Sequence, residues 1–391
     1  MPAPQPFTVN ITQARLDWIH RRVKEFEWHE MPDNGGWEFG ANLDYMRELC
    51  AYWLSSYDWR AAERALNRFP QFTVEIDGQL VHFIHEKGSG KKPRPLIISH
   101  GWPGSVFEFL HVIEPLAHPE RFGGKAEDGF DVIVPSLPGY GFSGKPVADG
   151  VIRPIGPRRI ARYFNSLMTD VLGYDSYLAQ GGDWGSIISG WMGYDFGAPK
   201  GNCAAIHLNM YGLRSADAVP ETAEEKKFAQ ESVAVQDREM GYFREQATKP
   251  QTLSYGMMDS PVGACAWIVE KFNGWSDTDG DDIESAYSKD QLLTNVMIYL
   301  TTRSFNTATW LYRGLFDDAD FGIGPGERVR VPVGVANFPK DFLGWPPRSL
   351  AEKTYNITHW TDMGEGGHFA ALERPEKFVD DIRLFARSLE F

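Results

Sequence analysis

One short segment of the chain places a carboxylate where a nucleophile is often found. Residues 181–185 read GGDWG, so glycines flank Asp183 on both sides, and the segment falls between a strand predicted at 177–180 and a helix predicted from about Ser186. Small residues are needed there because a sharp strand-to-helix turn strains the backbone of its central residue. A carboxylate at such a turn can attack a saturated carbon and form an alkyl ester with the enzyme. The alternative is that Asp183 only caps the helix, which aspartate also favours.

Two further residues have the types that such a nucleophile needs as partners. His368 follows two glycines near the C-terminus, between a strand and the last helix, and Asp341 follows a predicted strand over residues 329–335. Nucleophile, acid and histidine in this chain order are typical of the α/β-hydrolase fold. Asp341 would then hold His368 in the tautomer required of a general base. The alternatives are a loop histidine bonded to backbone and a solvated loop carboxylate.

A loop rich in glycine and proline indicates where developing negative charge would be stabilised. Residues 100–104 read HGWPG and follow a strand that ends at Ser99. Such a turn can direct the backbone N–H of Trp102 at an oxyanion, together with the N–H of Trp184 after the nucleophile. We expect His100 to hold this loop in place rather than to act as the base.

The elements that must position these residues follow from the spacing of apolar side chains. Short apolar or β-branched strands alternate with helical patterns between residues 96 and 208, and the alternation resumes at 329–335 before a last helix at 375–389. This pattern predicts an α/β fold with a mostly parallel sheet and helices on both faces. The block in between is mostly helical and is predicted to be a lid, because loops over the strand ends usually cover the active site.

We therefore divide the chain into four segments. They are an N-terminal helical and meandering segment at 1–90, the first part of the core at 91–212, the helical lid at 213–322 and the second part of the core at 323–391. Within the first segment, glycines and a proline at 31–40 break two helical stretches. An Asp77-Gly78 pair predicts a hairpin turn between two strands.

Composition excludes several classes of protein. The formal charge of -14 over 391 residues argues against binding to nucleic acid or to anionic lipid, although its simplest role is solubility. The three cysteines, Cys50, Cys203 and Cys265, lie far apart and show no metal-ligand spacing. No stretch approaches the roughly 18 apolar residues of a membrane helix. We expect a cytoplasmic protein with a small uncharged substrate, no metal and no membrane anchor, and a homodimer is compatible with the sequence.

Four motifs together resemble those of the microsomal-type epoxide hydrolases. They are HGWPGS at 100–105, SLPGYGFS at 136–143, GGDWG at 181–185 and GGHFAA at 366–371. The resemblance runs nearly end to end, and it implies that the N-terminal segment wraps the core. It also implies hydrolysis of an epoxide to a vicinal diol without a cofactor, and a cis peptide bond before Pro103.

The same resemblance implies two acids in the lid. The family uses two lid tyrosines to protonate the epoxide oxygen, and the matching positions are Tyr242, in GYF at 241–243, and Tyr312, after NVMIY at 295–299. Tyr255 and Tyr299 are alternatives because they also lie in the lid. The family's acid residue matches Asp341 through the preceding Phe-Pro pair.

Two other functions are compatible with parts of this pattern. A haloalkane dehalogenase would also use an aspartate followed by tryptophan, with indole N–H groups on the departing halide. A catalytically silent binding protein could retain the fold, but an intact nucleophile, base and acid argue against it. The lid tyrosines and residues 102–105 favour the epoxide hydrolase.

Overall fold

A nine-stranded sheet organises the molecule. The computed structural model describes residues 2–32 and 36–389, so residues 33–35 of the predicted break between helices lie outside the described residues. The strands are β1 (Gln5–Phe7), β2 (Gln71–Ile76), β3 (Gln79–Glu86), β4 (Arg94–Ser99), β5 (Phe130–Pro135), β6 (Val147–Ala148), β7 (Val151–Ile152), β8 (Tyr177–Gly181), β9 (Cys203–Leu208), β10 (Val329–Asn337) and β11 (Tyr355–Asp362).

The sheet is antiparallel at one edge and parallel elsewhere. Its strand order is β1-β2-β3-β5-β4-β8-β9-β10-β11, and β6 and β7 form a separate ribbon. From β5 to β11 each neighbouring pair is parallel. Strands β5 and β8 are buried along their whole length, as expected for parallel strands covered on both faces. The predicted α/β-hydrolase architecture with a mostly parallel sheet is confirmed.

The helices lie on both sides of this sheet and in the block between β9 and β10. They are α1 (Gln13–Lys24), α2 (Leu43–Ser55), α3 (Trp59–Leu66), α4 (Leu110–Ala117), α5 (Pro157–Ser166), α6 (Asp183–Asp195), α7 (Ala223–Glu239), α8 (Gly241–Thr248), α9 (Pro250–Asp259), α10 (Pro261–Gly274), α11 (Lys289–Thr302), α12 (Phe305–Asp317), α13 (Arg348–Ala351), α14 (Ala370–Glu373) and α15 (Pro375–Ser388). Within residues 2–32 and 36–389, no helix combines the length and the apolar character needed to cross a membrane.

The block from α7 to α12 supplies the helices that cover the end of the sheet. Helix α8 packs against α12, and α10 packs against α11. Helix α11 starts with a capping box, in which Ser288 and Gln291 satisfy each other's backbone N–H groups, and it is buried almost throughout. Its side chains reach the core directly, since Asn295 donates to the Pro103 carbonyl at 2.7 Å.

The N-terminal segment is joined to both the sheet and these helices. Asn67 exchanges hydrogen bonds with the backbone of Val9, and Arg15 donates to the Leu300 carbonyl at the end of α11. Helix α1 packs against α10 and α11. Strand β1 pairs with β2, a contact that three residues with a central proline did not predict.

Two other details differ from the sequence-based boundaries. Helix α6 begins at Asp183 and not near Ser186, because the nucleophile itself occupies the first helical position. Residues 106–117, which were not predicted to be helical, form a short 3₁₀ turn followed by α4. The hairpin turn at Asp77 and Gly78 is confirmed, with both residues at the positive φ that such a turn requires.

Candidate active site

The backbone at Asp183 explains the glycines around it. Asp183 has a φ of 47°, in the left-handed region that a residue with a side chain rarely adopts. A Cβ at Gly181 would lie 2.1 Å from the carbonyl of Gly185, and a Cβ at Gly185 would lie 1.9 Å from the Ser99 carbonyl oxygen. The turn from β8 into α6 therefore tolerates no side chain at either position. This packing holds the carboxylate at the carboxyl edge of the parallel strands.

One oxygen of this carboxylate is already bound by the predicted oxyanion loop. The Trp102 backbone N–H donates to Asp183 Oδ1 at 2.7 Å, and Gly101 lies so close that a Cβ there would be 2.0 Å from the same oxygen. The Trp102–Pro103 peptide is cis, as predicted. Trp184 occupies the next position of α6, where helical N–H groups have no partner within the helix.

The second oxygen faces the predicted base. His368 Nε2 lies 3.4 Å from Asp183 Oδ2, and His368 Nδ1 lies 3.2 Å from each carboxylate oxygen of Asp341. The side chains of His368 and Asp341 are each 2% exposed, and that of Asp183 is 14% exposed. Because Asp341 can only accept, Nδ1 carries a proton and Nε2 is the nitrogen that faces the nucleophile.

The charges around His368 oppose the effect of its burial. Burial lowers the pKa of the imidazole, whereas the carboxylates of Asp341 and Asp183 raise it, and the net result is a pKa well above the usual value for histidine. The ring is also fixed by its neighbours, since Trp275, Phe342 and Phe369 present their rings to it at 5.0 to 5.3 Å. The two carboxylates thus favour the protonated form of the imidazole.

Two of the lid tyrosines pack against each other beside the oxyanion loop. The Tyr242 ring on α8 stacks on the Trp102 ring at 4.8 Å, and the Tyr312 ring on α12 lies edge-on to the Tyr242 ring at 5.8 Å. Within the part of the chain that the structure describes, the buried Tyr312 hydroxyl has no hydrogen-bond partner. Burial raises the pKa of both phenols, and the Asp183 carboxylate raises them further. A buried hydroxyl without a partner is costly and marks a place where a ligand atom can bind.

The two other lid tyrosines named from the sequence lie elsewhere. Tyr299 donates its hydroxyl hydrogen to the Gly104 carbonyl at 2.6 Å, so it holds the oxyanion loop from the lid side. Tyr255 is 76% exposed on α9. The geometry therefore separates Tyr242 and Tyr312 from the alternatives.

Comparison with known proteins gives the same family for the whole chain. Residues 4–109 match the model of the epoxide hydrolase N terminus, and residues 94–256 match that of the alpha/beta hydrolase fold. Epoxide hydrolase 1 of Sus scrofa is 33% identical over 412 residues, covering 99% of this chain and 89% of the relative. The structure of the Aspergillus niger epoxide hydrolase superposes with a TM-score of 0.85 at 32% identity, covering 100% of this chain and 97% of that one. The chain belongs to the epoxide hydrolase family.

Another relative extends the same result. Juvenile hormone epoxide hydrolase of Bombyx mori is 33% identical over 405 residues, covering 97% of this chain and 85% of the relative. Its crystal structure superposes with a TM-score of 0.83. The enzyme is therefore an epoxide hydrolase, and these matches span its N-terminal segment as well as its core and lid.

His100 of this epoxide hydrolase holds the oxyanion loop, as expected from the sequence. Its Nδ1 lies 3.0 Å from the Gly101 carbonyl, and its Nε2 accepts from the Leu137 N–H at 3.2 Å. Both ring nitrogens are thus used by backbone groups. From the lid side, Asn295 accepts from the Ser105 hydroxyl and donates to the Pro103 carbonyl.

One buried residue near Asp183 and His368 was not predicted from the sequence. Glu108 is buried and lines a cavity of about 20 Å³ together with Asp183, His368 and Asn209. Burial raises the pKa of Glu108 to about 8. The charge of His368 lowers this pKa, and the carboxylate of Asp183 raises it. The cavity has room for about one water molecule. A single carboxylate within the apolar run VFEFL at 106–110 was the signal that could have identified it.

The described residues contain no cluster of side chains that would hold a metal ion. Within 2–32 and 36–389, no three His, Cys, Asp or Glu side chains are grouped as metal ligands. The cysteines are buried and unpaired.

Proposed function

We propose that the enzyme converts an uncharged epoxide into a vicinal diol through an alkyl ester on Asp183. The observation that carries this proposal is the presence of a carboxylate on the core side of the site and of a phenol on its lid side. On the core side is a buried carboxylate that a backbone N–H and an imidazole orient. On the lid side is the Tyr312 hydroxyl, which is buried and has no partner among the described residues.

In the first step, an oxygen of Asp183 forms a bond to one epoxide carbon. The bond between that carbon and the epoxide oxygen breaks, and its electron pair remains on the oxygen. One lid phenol transfers a proton to this oxygen while the other donates a hydrogen bond. A phenol can do so because it is a stronger acid than an alcohol, and general acid help of this kind is worth about 100- to 10,000-fold.

In the second step, water attacks the carbonyl carbon of the ester. Converting Asp183 to a neutral ester removes one of the charges that raise the pKa of His368, so the imidazole can lose its proton and act as the base. Protonated Glu108 can hold the water in the small cavity beside it. The amides of Trp102 and Trp184 stabilise the tetrahedral oxyanion. When it collapses, His368 gives the proton that it took from water to the departing diol oxygen, and the Asp183 carboxyl group then passes its own proton to His368 and becomes a carboxylate again.

One observation supports the alternative of haloalkane dehalogenation. The Trp102 indole N–H is buried without a partner in the described part of the chain, and such a group can bind a departing halide. A halide, however, is a weak base that needs no proton, so the lid phenols would have no role. Halide release from a bromoalkane, unaffected by replacing both tyrosines, would favour the dehalogenase.

The ester is tested by a single turnover in oxygen-18 water with enzyme in excess of epoxide. The diol of the first turnover should contain no oxygen-18, because its new oxygen comes from Asp183. The peptide that contains Asp183 should gain one oxygen-18 atom by mass spectrometry. Repeated turnover on labelled enzyme is the control and should give labelled diol. Oxygen-18 in the diol of the first turnover would show direct attack by water.

A further inference from the structure

A buried lysine lies against one of the two lid phenols. Lys271 on α10 is 7% exposed, and its Nζ lies 5.0 Å from the centre of the Tyr242 ring and 5.6 Å from that of Trp275. Its carboxylate partner is the preceding residue, Glu270, at 2.6 Å. Burial of an ammonium group is costly unless it is compensated, and here an ion pair and two aromatic rings compensate it.

The other charges near Tyr242 are negative. Burial and the carboxylates of Asp183, Glu239 and Glu270 raise the pKa of Tyr242 and so oppose the formation of a phenolate, whereas the Tyr312 hydroxyl lowers it. Lys271 is the cation placed against the same ring, and a cation near an aromatic ring binds it more tightly when the ring gains negative charge. Tyr312 is surrounded differently, because the rings of Trp184 and Phe243 pack against it edge-on.

We propose that Lys271 is a positioning residue whose charge, 5.0 Å from the Tyr242 ring, makes Tyr242 the proton donor of the first step. Tyr312 is then the hydrogen-bond donor. The proposal rests on the proposed function, since it assigns the proton transfer of that mechanism to one of two phenols. The proton leaves Tyr242 Oη for the epoxide oxygen, and the phenolate that remains is stabilised by the neighbouring ammonium group until it is reprotonated from solvent.

A purely structural role for Lys271 makes a different prediction. Its aliphatic stem could simply cover the aromatic cluster while the ammonium group pairs with Glu270. Loss of the lysine would then loosen the cluster and slow every step, whether or not Tyr242 carries a hydroxyl.

The test is a double-mutant cycle between Lys271→Met and Tyr242→Phe. The rates of alkylation and of ester hydrolysis are measured separately, by stopped-flow tryptophan fluorescence together with quenched-flow mass spectrometry. Lys271→Met should slow alkylation about tenfold while ester hydrolysis is unchanged. In the Tyr242→Phe background the same change should have no further effect on alkylation. Lys271→Arg, which keeps the charge, should restore alkylation to within about threefold of the wild-type rate.

Two controls separate charge from packing. The double variant Lys271→Met and Glu270→Gln leaves no unpaired carboxylate, so its alkylation should be faster than that of Lys271→Met but still slower than that of the wild type. Lys289→Met removes another glutamate-paired lysine, which lies near the Tyr45 and Tyr52 rings, and should leave alkylation unchanged.

The experiment separates an error in the proposed function from an error in the role proposed for Lys271. If Tyr242→Phe alone leaves alkylation at the wild-type rate, the role of Tyr242 in the proposed function is wrong. If Tyr242→Phe slows alkylation but Lys271→Met does not, or slows it equally in both backgrounds, the role of Lys271 is wrong.

Discussion

The core half and the lid half of the active site hold their residues by different means. Asp183 is fixed by backbone packing at a strained turn, and His368 is held between two carboxylates. Tyr242 and Tyr312 are fixed by aromatic rings around them, and the Tyr312 hydroxyl has no partner in the described residues. The core half is therefore held by hydrogen bonds and ion pairs within the protein, whereas the lid half leaves the Tyr312 hydroxyl available for a ligand atom.

In the proposed mechanism, the lid half serves only the first of the two steps. The core residues form and hydrolyse the ester, whereas the lid phenols assist only while the epoxide oxygen gains negative charge. Replacement of a lid tyrosine should therefore slow alkylation and leave ester hydrolysis unaltered, and replacement of His368 should do the reverse.

The largest effect is expected from His368→Gln. Ester hydrolysis should fall by about 10⁴-fold because no base activates the water, while alkylation stays within a few fold of the wild-type rate. Intact-mass spectrometry after addition of an epoxide should show the mass of enzyme plus substrate. Steady turnover at the normal rate would exclude His368 as the base.

The lid half is tested by Tyr242→Phe and Tyr312→Phe. Each single change should slow alkylation in part, and the double change should slow it by about 100- to 10,000-fold, because no phenol remains to protonate the oxygen. Ester hydrolysis, measured after mixing preformed ester with buffer, should be unchanged. An equal loss in both steps would show that the tyrosines only support the fold.

The pH dependence of the free energy of unfolding tests whether Glu108, in the core half, is buried in its neutral form. Its pKa is raised from 4.5 to about 8, so its contribution to stability is complete below about pH 4.5 and is lost as the pH rises through 8. Glu108→Gln removes this loss. Relative to wild type, its free energy of unfolding should increase by about 3 kcal/mol between pH 5 and pH 8.5, as measured by urea denaturation. A difference that does not change with pH would contradict a buried neutral Glu108.

The smallest effect is expected on the rate of the second step. Glu108→Ala should slow ester hydrolysis by about tenfold because the water loses one of its hydrogen-bond partners. Glu108→Gln keeps a neutral polar group and should retain most of the rate. Alkylation serves as the internal control in both variants. If Glu108→Ala hydrolyses the ester as fast as wild type, the water is held without Glu108.

Much of the fold follows from local patterns in the sequence. The alternation of buried strands and helices predicted the parallel sheet, and Asp77-Gly78 predicted the hairpin from β2 to β3. Strand β1 could not be predicted, since three residues with a central proline have no pattern of their own and pair only because β2 presents a free edge. The start of α6 was placed three residues late because a strained first residue does not resemble a helix start.

For the active site, the residue types and their chain order could be predicted from the sequence. The glycines around Asp183 and beside His368 predicted the turns that carry these residues, because only glycine fits such close approaches. The resemblance indicated Tyr242 and Tyr312, which no local pattern separates from other lid tyrosines. Which side chains contact each other depends on how the chain folds in three dimensions. Contacts such as Tyr242 with Trp102, Lys271 with Tyr242, or Glu108 with the cavity beside His368 join helices and loops far apart in sequence. Burial and the proximity of charges, which set the pKa of Glu108 and of His368, arise from that assembly and have no local signature.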